Sequence, residues 1–333
     1  MTPLLSEMIE DDSSSGQDSN NTSYREKLLF SYASKSDVAV FHNIGNEHAD
    51  AIVLMIIVKS KSAHDNIDAV KSIPITDEDF SQLGALKRLE KLFISSIPFR
   101  GHGLRYITSK KLGELSVSSC TIADDFFASF SHLTALETLI VENRLRTLSA
   151  PDLRGLSANH SLRLIDLSYC YLSDSAFDHF PELPKLETLA LEENLLTGEN
   201  FHFICGLKKL GFIDLRKNPL TNAGIEVIVQ NAPKKLNSLS LMDCPNANDE
   251  WMRHISRMNQ LKTLFFKNAH ITDASLPYFQ NMQNLETIFL DGCDISLKAC
   301  KAIHETCPKM TIGLPDGKEL ESKRNRRIRR KYE

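Results

Sequence analysis

An apolar triplet returns at nearly constant intervals through most of the chain, and this period limits the fold more than any other feature. Each occurrence has the form L-x-x-L-x-L, with Ile, Val or Phe at some of the later positions. Successive starts are separated by 23, 24, 26, 24, 24, 26, 25 and 24 residues. This regular register indicates a repeated structural unit. The starting residues are Leu89, Leu112, Leu136, Leu162, Leu186, Leu210, Leu236, Leu261 and Leu285.

The spacing within each triplet predicts a short strand. The first, fourth and sixth sites of a unit place apolar side chains on the side of the strand that needs to be buried. So short a strand cannot bury that side alone, and neighbouring units are therefore expected to stack and share one core. Leu139, Leu189 and Leu239 should then point into that core.

The second half of each unit has the pattern of a helix. Ser173-Asp174, Thr221-Asn222 and Thr272-Asp273 supply the side-chain oxygens that cap helix N-termini. Apolar residues follow at helical spacing, as at Ile225 and Ile228. A strand and a return helix, repeated in one direction, predict a parallel sheet with helices outside.

The ninth site of most units holds Cys or Asn. A small polar or sulfur-containing side chain there can bond the backbone that turns away from the strand. Three units have Ile97, Arg144 or Ala269 instead, and a different turn is expected in them. The residues of the common type are Cys120, Cys170, Asn194, Asn218, Cys244 and Cys293.

These features resemble the leucine-rich-repeat superfamily, particularly its ribonuclease-inhibitor-like and cysteine-containing classes. The ninth-site residues and the segment LTNAGI, from Leu220 to Ile225, carry the resemblance, which covers roughly Leu89 to Cys307. It implies an α/β solenoid with a curved parallel sheet inside and helices outside. It also implies that the residues between the apolar strand sites face solvent on the concave side, where a partner would bind.

The N-terminal part of the chain lacks the clear period. Residues 1–35 are predicted to be a disordered acidic tail, because residues 1–27 hold six acidic and only two basic side chains. Residues 36–88 are predicted to form an N-terminal cap with a degenerate repeat. Strands are expected in this cap at Val38–Phe41 and Ala51–Val58.

Residues 89–309 are assigned to about nine repeats, and residues 310–333 to a cap strand at Met310–Ile312 followed by a basic tail. Residues 318–333 hold eight basic and three acidic side chains. Such a tail can bind phosphate backbones, anionic lipid or a nuclear-import receptor, but it also fits a solubilising tail or one that folds back onto acidic residues. Its central bases are Lys323, Arg324, Arg326, Arg327, Arg329, Arg330 and Lys331.

The concave side is the predicted binding site. Its middle units present carboxylates and its later units present aromatic rings, which favours a protein partner with a basic patch beside an apolar one. Alternatively, the carboxylates are only a solvated face, with Glu192 and Arg216 paired across strands at about 0.2–1 kcal/mol, and the rings fold against their neighbours. The predicted residues are Glu142, Asp166, Tyr169, Glu192, Glu193, Phe212, Asp214, Arg216, Lys217, Phe265 and Phe289.

Catalytic and metal-binding patterns are missing from the sequence. It has no glycine-rich phosphate loop, G-x-S-x-G or H-E-x-x-H motif. Cys300, His304 and Cys307 share one predicted helix face, but a structural zinc site requires a fourth ligand. We therefore predict no enzymatic activity, no metal and no cofactor.

The main functional prediction is a protein-binding scaffold in the cytosol. The first residues lack the pattern of a secretory signal, Ala51–Val58 is too short to span a bilayer, and seven scattered cysteines suit a reducing compartment. One alternative is an adaptor that its basic tail recruits to nucleic acid or an anionic membrane; that tail also fits a nuclear location. Another alternative, which only the resemblance suggests, is a substrate-recognition subunit of a ubiquitin ligase or similar complex.

Overall fold

The computed structural model describes residues 27–32, 53–58, 75–148 and 151–321. In these ranges a 13-stranded sheet joins each strand to its neighbours in chain order. Every strand pair is parallel except the last, which is antiparallel. The strands are β1 (Lys27–Tyr32), β2 (Val53–Val58), β3 (Lys91–Ser95), β4 (Glu114–Ser118), β5 (Thr138–Glu142), β6 (Leu164–Asp166), β7 (Thr188–Ala190), β8 (Phe212–Asp214), β9 (Ser238–Ser240), β10 (Thr263–Lys267), β11 (Thr287–Asp291), β12 (Thr311–Gly313) and β13 (Glu319–Leu320).

Helical segments connect the strands on the outer side of the sheet. The α-helices are α1 (Asn222–Asn231), α2 (Asp249–Ile255), α3 (Leu276–Phe279) and α4 (Leu297–Thr306). The 3-10 segments are Asp77–Ala85, His102–Tyr106, Phe126–Phe130, Leu153–Ala158, Asp174–Phe177, Phe201–Gly206 and Asp273–Ser275. Among the described helices, none combines the length and the hydropathy needed to cross a bilayer.

The predicted helix starts are confirmed at three positions. The Thr221 hydroxyl accepts a hydrogen bond from the backbone N–H of Gly224 at the start of α1. Thr272 caps the 3-10 segment before α3 in the same way, through the N–H of Ala274. Ser173 occupies the corresponding N-cap position without a side-chain bond to the backbone.

The earlier units differ from the prediction, because short 3-10 segments replace the expected helices. A 3-10 helix rises more per residue than an α-helix, so a short segment can span the unit. Large rings fill the remaining space. Phe126, Phe127 and Phe130 are almost fully buried, with ring centroids 5.1–5.6 Å apart.

One continuous core lies between the sheet and the outer segments. It extends from Leu54 to Leu314. Leu139, Leu189 and Leu239 have no exposed surface, as the period predicts. The stacked units therefore share their apolar sides along the whole described array.

Ninth-site residues bond the turning backbone, as the sequence predicted. The Asn218 side-chain oxygen accepts from the N–H of Leu196 at 3.1 Å, and its amide nitrogen donates to the carbonyls of Leu191 and Leu215 at 2.8 and 3.1 Å. The Cys244 thiol lies 3.3 Å from the carbonyl oxygen of Leu215. Asn218 and Cys244 thus each tie their own unit to the preceding one.

The residue just before the ninth site has left-handed backbone geometry in every unit except one. In the unit that starts at Leu136, Asn143 takes the fully buried turn position one residue early, and the left-handed residue is Arg146 (φ 54°). Arg144 is only half-buried, so the different turn expected there is confirmed, whereas Ile97 and Ala269 are buried after left-handed residues as in the other units. The left-handed residues before the ninth site in the other units are Ser96, Ser119, Tyr169, Glu193, Lys217, Asp243, Asn268 and Gly292, and Tyr171 is left-handed as well (φ 56°).

The N-terminal edge of the sheet corrects the prediction of a disordered tail over residues 1–35. The segment KLLFSY forms β1 and pairs in parallel with β2, in the register Lys27 to Val53. Its apolar run supplies a further strand before the predicted cap. β2 lies within the predicted Ala51–Val58 segment, whereas Val38–Phe41 lies outside the described residues.

The C-terminal edge has one strand more than the sequence suggested. β12 overlaps the predicted Met310–Ile312 strand and pairs in parallel with β11. β13 then returns antiparallel to β12, with Leu320 opposite Ile312. The reversal places a hairpin on the last parallel strand.

Candidate binding face

The outward surface of the sheet, which we call the strand face, consists of the side chains at the third, fifth and seventh sites of each unit. Strand pairing aligns the fifth sites into one row, in which neighbours are about 4.8 Å apart. Equivalent residues are therefore held side by side along the array. From β3 to β12 this row is Phe93, Ser116, Ile140, Asp166, Ala190, Asp214, Ser240, Phe265, Phe289 and Gly313.

The middle of the strand face is a network of ion pairs, which we call the ionic centre. At its core, the Arg216 Nε donates to both carboxylate oxygens of Asp214, at 2.9 and 2.8 Å. An Arg216 terminal nitrogen lies 2.7 Å from Asp214 and 2.7 Å from Glu192. Both carboxylates are buried, and the guanidinium compensates their charge. The ionic centre comprises Glu142, Arg144, Asp166, Tyr169, Glu192, Glu193, Asp214, Arg216 and Lys217.

Eighth-site residues extend this network towards the carboxyl ends of the strands. The Lys217 Nζ lies 2.8 Å from Glu192 and 3.1 Å from Glu193. The Tyr169 hydroxyl donates to Glu192 at 3.0 Å. Burial, and then the neighbouring Glu192 carboxylate, raise the pKa of the Tyr169 hydroxyl, which therefore stays protonated as a donor.

Arg144 closes the network on the side of β5. Its Nε donates to Glu142 at 2.6 Å, and its guanidinium lies 3.7 Å from the centroid of the Tyr169 ring. The Lys217 Nζ is 5.6 Å from the same centroid. The structure thus brings together most of the predicted charged residues, including the Glu192–Arg216 pair.

Asp166 is the exception within the ionic centre. It is half-buried between Ile140 and Ala190, and its carboxylate accepts a hydrogen bond from the N–H of Ser168 at 2.9 Å. Among the described residues, no basic side chain lies within ion-pair distance of it. Burial raises the pKa of Asp166, to which the nearby carboxylates of Glu142 and Asp214 contribute.

A flat apolar surface lies further along the same row. The rings of Phe265 and Phe289 stack with centroids 5.0 Å apart and planes within 2°, and both are half-buried. Beyond them, a Cβ at Gly313 would lie 2.9 Å from the Phe289 Cδ1, so this ring extends over the backbone of β12. Phe212 is not part of the stack, because it occupies the third site of β8, and Ser238 of β9 lies between it and β10.

A neighbouring group of residues at the carboxyl edge of the sheet was not predicted from the sequence. The Arg146 guanidinium lies 4.0 Å from the ring centroid of Tyr171, and Leu195 is 54% exposed. Tyr171 and Leu195 occupy the tenth sites of consecutive units. Asn143, directly before Arg144, was the available signal, because it indicates a turn shifted by one residue.

The buried thiols are unsuited to nucleophilic chemistry. Burial raises the pKa of Cys120 and of Cys244 to about 12 and that of Cys293 to about 11, which leaves little thiolate near neutral pH. In the described part of the chain, no group of three or more His, Cys, Asp or Glu side chains is placed to hold a metal ion.

Comparison with known proteins identifies the architecture. No family model matches the chain, and no curated protein matches it in sequence. Among solved structures, TLR13 in its complex with ssRNA13 aligns with a TM-score of 0.53 and 16% sequence identity, over 79% of this chain and 35% of that one. The chain has the leucine-rich-repeat solenoid fold.

Two bacterial structures also match the solenoid, but with lower TM-scores. An internalin (inlF) from Listeria monocytogenes aligns over 80% of both chains with 14% identity and a TM-score of 0.45. A leucine-rich-repeat protein from Leptospira interrogans aligns over 81% of this chain and 91% of its own, with 18% identity and a TM-score of 0.38. At these identities the likeness concerns the fold.

The predicted basic tail lies outside the described residues. Lys323, Arg324, Arg326, Arg327, Arg329, Arg330 and Lys331 all follow Glu321, the last described residue. Binding to nucleic acid or to anionic lipid through this tail therefore stays a prediction from the sequence.

Proposed function

We propose that the solenoid is a non-catalytic scaffold that holds another protein on its strand face. The single observation that carries this proposal is the stacked pair of Phe265 and Phe289 on an outward face. Aromatic residues near the centre of a contact surface are the usual energetic anchors of protein interfaces. Two parallel rings supply such an anchor at low cost in side-chain entropy, because each already packs against the other.

The ionic centre would give the complex its orientation. Its buried carboxylates are already paired within the chain, so a partner gains little by approaching them. Asp166 is different, since it has no basic neighbour within ion-pair distance among the described residues. We expect a lysine or arginine of the partner to pair with it, roughly 19 Å from the rings, which is four strand spacings.

The test is a comparison of two double variants with the wild-type protein. Proteins retained by immobilised full-length chain are identified by mass spectrometry, and the same capture is repeated with Phe265→Ala/Phe289→Ala. The matched control is Phe180→Ala/Phe203→Ala, a second ring pair with centroids 4.9 Å apart that packs against the core elsewhere. Circular dichroism checks that each variant is folded.

A partner that binds the strand face should be retained by the wild type and by the control but lost from the Phe265/Phe289 variant. We expect its affinity to fall by at least about tenfold, corresponding to more than about 1.4 kcal/mol. Retention of every partner by the Phe265/Phe289 variant would contradict the proposal. A partner lost only when residues 318–333 are deleted would instead support recruitment through the basic tail.

A further inference from the structure

A second surface of the solenoid lies along the carboxyl ends of its strands, beside the ionic centre but apart from the phenylalanine pair. We call it the carboxyl-edge row and define it by the tenth-site residues Tyr171, Leu195, Pro219 and Pro245. Leu195 and Pro245 are exposed, and Tyr171 and Pro219 are half-buried. Four consecutive units thus place apolar side chains at one exposed site.

A backbone hydrogen bond holds Leu195 close to the segment that contains Tyr171. The Leu195 N–H donates to the carbonyl of Leu172, directly after Tyr171, at 2.8 Å. Further along the array, the tenth-site residues His270 and Asp294 are in direct contact at 2.8 Å. Equivalent side chains at this site can therefore meet across adjacent units.

Leu195 is the most exposed large apolar residue in the described part of the chain, at 54%. Leu297 on the helical side follows at 45%. A single exposed leucine is ordinary on a protein surface. Leu195 differs from Leu297 because the units before and after it also have apolar residues, Tyr171 and Pro219, at the tenth site.

A positive charge lies at one end of the row. The Arg146 guanidinium is stacked over Tyr171 at 4.0 Å. No carboxylate among the described residues lies within ion-pair distance of it. The other nearby cations are compensated, since Arg144 pairs with Glu142 and Lys217 pairs with Glu192 and Glu193. Among the cations near this edge, Arg146 is therefore the one that has no carboxylate partner among the described residues.

Stacking orients this arginine for recognition. The ring holds one face of the guanidinium, which leaves the planar edge with its N–H donors free to bind a carboxylate in two-point fashion. The turn that presents Arg146 belongs to the unit that starts at Leu136, the one unit in which the turn register is shifted. Because of this shifted turn, the unit has a cation at a position where the other units have none.

We propose that the carboxyl-edge row binds an extended peptide segment of a partner protein that carries an acidic residue followed or preceded by an apolar one. The acid pairs with Arg146, and the apolar side chain packs on Leu195 and the adjacent prolines. Arg146 follows β5 and Leu195 follows β7, so the two contacts are about two strand spacings, or roughly 10 Å, apart, which corresponds to residues two or three positions apart in an extended chain.

A peptide fits this surface better than a nucleic acid. Binding to a phosphate backbone gains its strength from several uncompensated cations that displace counterions together. In the described part of this edge only Arg146 is a cation without a carboxylate partner, and the area next to it is apolar. A carboxylate beside an apolar side chain matches both features at once.

The probe is a displayed library of random 12-residue peptides, selected on the full-length protein. Enriched peptides are synthesised with a fluorescent label, and their affinities are measured by anisotropy. We expect the enriched sequences to contain Asp or Glu two or three residues from Leu, Ile, Phe or Met. Their affinity should fall with added salt, since an exposed ion pair is screened.

Variants of the row separate a specific contact from general charge. Arg146→Glu and Leu195→Asp should each weaken peptide binding by at least about tenfold. Arg146→Lys, which keeps the charge but loses the planar stack, should have an intermediate effect. The matched controls Arg257→Glu and Leu297→Asp alter an exposed arginine and an exposed leucine elsewhere and should leave binding within about twofold. All four sites are exposed, so the fold should be retained, which thermal unfolding checks.

Three outcomes would overturn the proposal. The selection could yield no binding peptide, the enriched peptides could bind Arg146→Glu and Leu195→Asp as tightly as wild type, or a labelled single-stranded RNA 20-mer could bind through Arg146 where acidic peptides do not. Phe265 and Phe289 are unchanged in every variant. The result for the carboxyl-edge row is thus separate from the result for the strand-face scaffold.

Discussion

The ionic centre and the phenylalanine pair occupy equivalent sites of one sheet, yet their outward side chains find their partners in different ways. In the ionic centre, Arg216 and Lys217 compensate the carboxylates of adjacent strands within the chain. At Phe265 and Phe289 the two rings stack on each other and leave apolar area exposed. A repeat array can therefore use the same backbone row either to hold itself together or to offer a surface to a partner.

Core substitutions beneath the two regions should have the largest effects on stability, and these effects should be similar in both regions. Leu189 lies under the ionic centre and Leu264 under the rings, and neither has exposed surface. We expect Leu189→Ala and Leu264→Ala each to lower the free energy of unfolding by about 2–5 kcal/mol, since each leaves a cavity. Urea unfolding followed by circular dichroism measures this. If only one of them is destabilised, the two regions do not share a core.

The ionic centre itself should respond next most strongly. Arg216→Ala leaves the buried carboxylates of Glu192 and Asp214 without their main cation, and we expect it to cost about 1–3 kcal/mol in urea unfolding. The control is Lys267→Ala, an exposed lysine beside the phenylalanine pair, with an expected change within about 0.5 kcal/mol. Equal effects of the two substitutions would mean that the network adds no stability.

The smallest expected effect concerns Asp166 and depends on pH. Burial raises the pKa of Asp166 above its ordinary value, so the ionised form destabilises the fold at pH values above the folded pKa and no longer does so below the ordinary pKa of an aspartate. Asp166→Asn should then stabilise the protein at pH 7, by up to about 0.5 kcal/mol, and should give no gain at pH 3.

Asp152 serves as the comparison, because its pKa is shifted in the opposite direction. Arg154 lowers the pKa of this exposed carboxyl, so Asp152→Asn should not stabilise the protein at pH 7. Thermal unfolding of both variants across this pH range checks the pair. A gain from Asp166→Asn that persists at pH 3 would point to a cause other than ionisation.

The sequence predicted the features that every unit repeats. Leu139, Leu189 and Leu239 are buried because each makes the same contact with its neighbours, so the period alone reveals them. The bonds made by Asn218 and Cys244 were predictable for the same reason. These contacts lie on the repeating backbone and need no knowledge of side-chain rotamers.

Features that belong to one unit were only partly predictable. Arg144 at the ninth site indicated a different turn, but the spacing of the leucines does not record that Arg144 and Arg146 would lie over tyrosine rings. Which carboxylates would be compensated also depended on side-chain geometry between units, so Asp166 could not be told apart from Glu192 by sequence. The strand at residues 27–32 was missed because Arg25 stands where the predicted units have their first leucine, so the apolar triplet is incomplete there.

The left-handed residues at the eighth site limit which substitutions such an array can accept. An L-amino acid pays roughly 1–2 kcal/mol in steric repulsion to adopt this geometry, whereas glycine adopts it freely. Glycine fills the position only at Gly292, while Tyr169, Glu193 and Lys217 keep full side chains there. Replacing these three by glycine would remove the steric cost in the backbone, but it would also remove the side-chain contacts that link three consecutive turns. At this position the backbone preference of a single residue and the contacts between units therefore favour different residues.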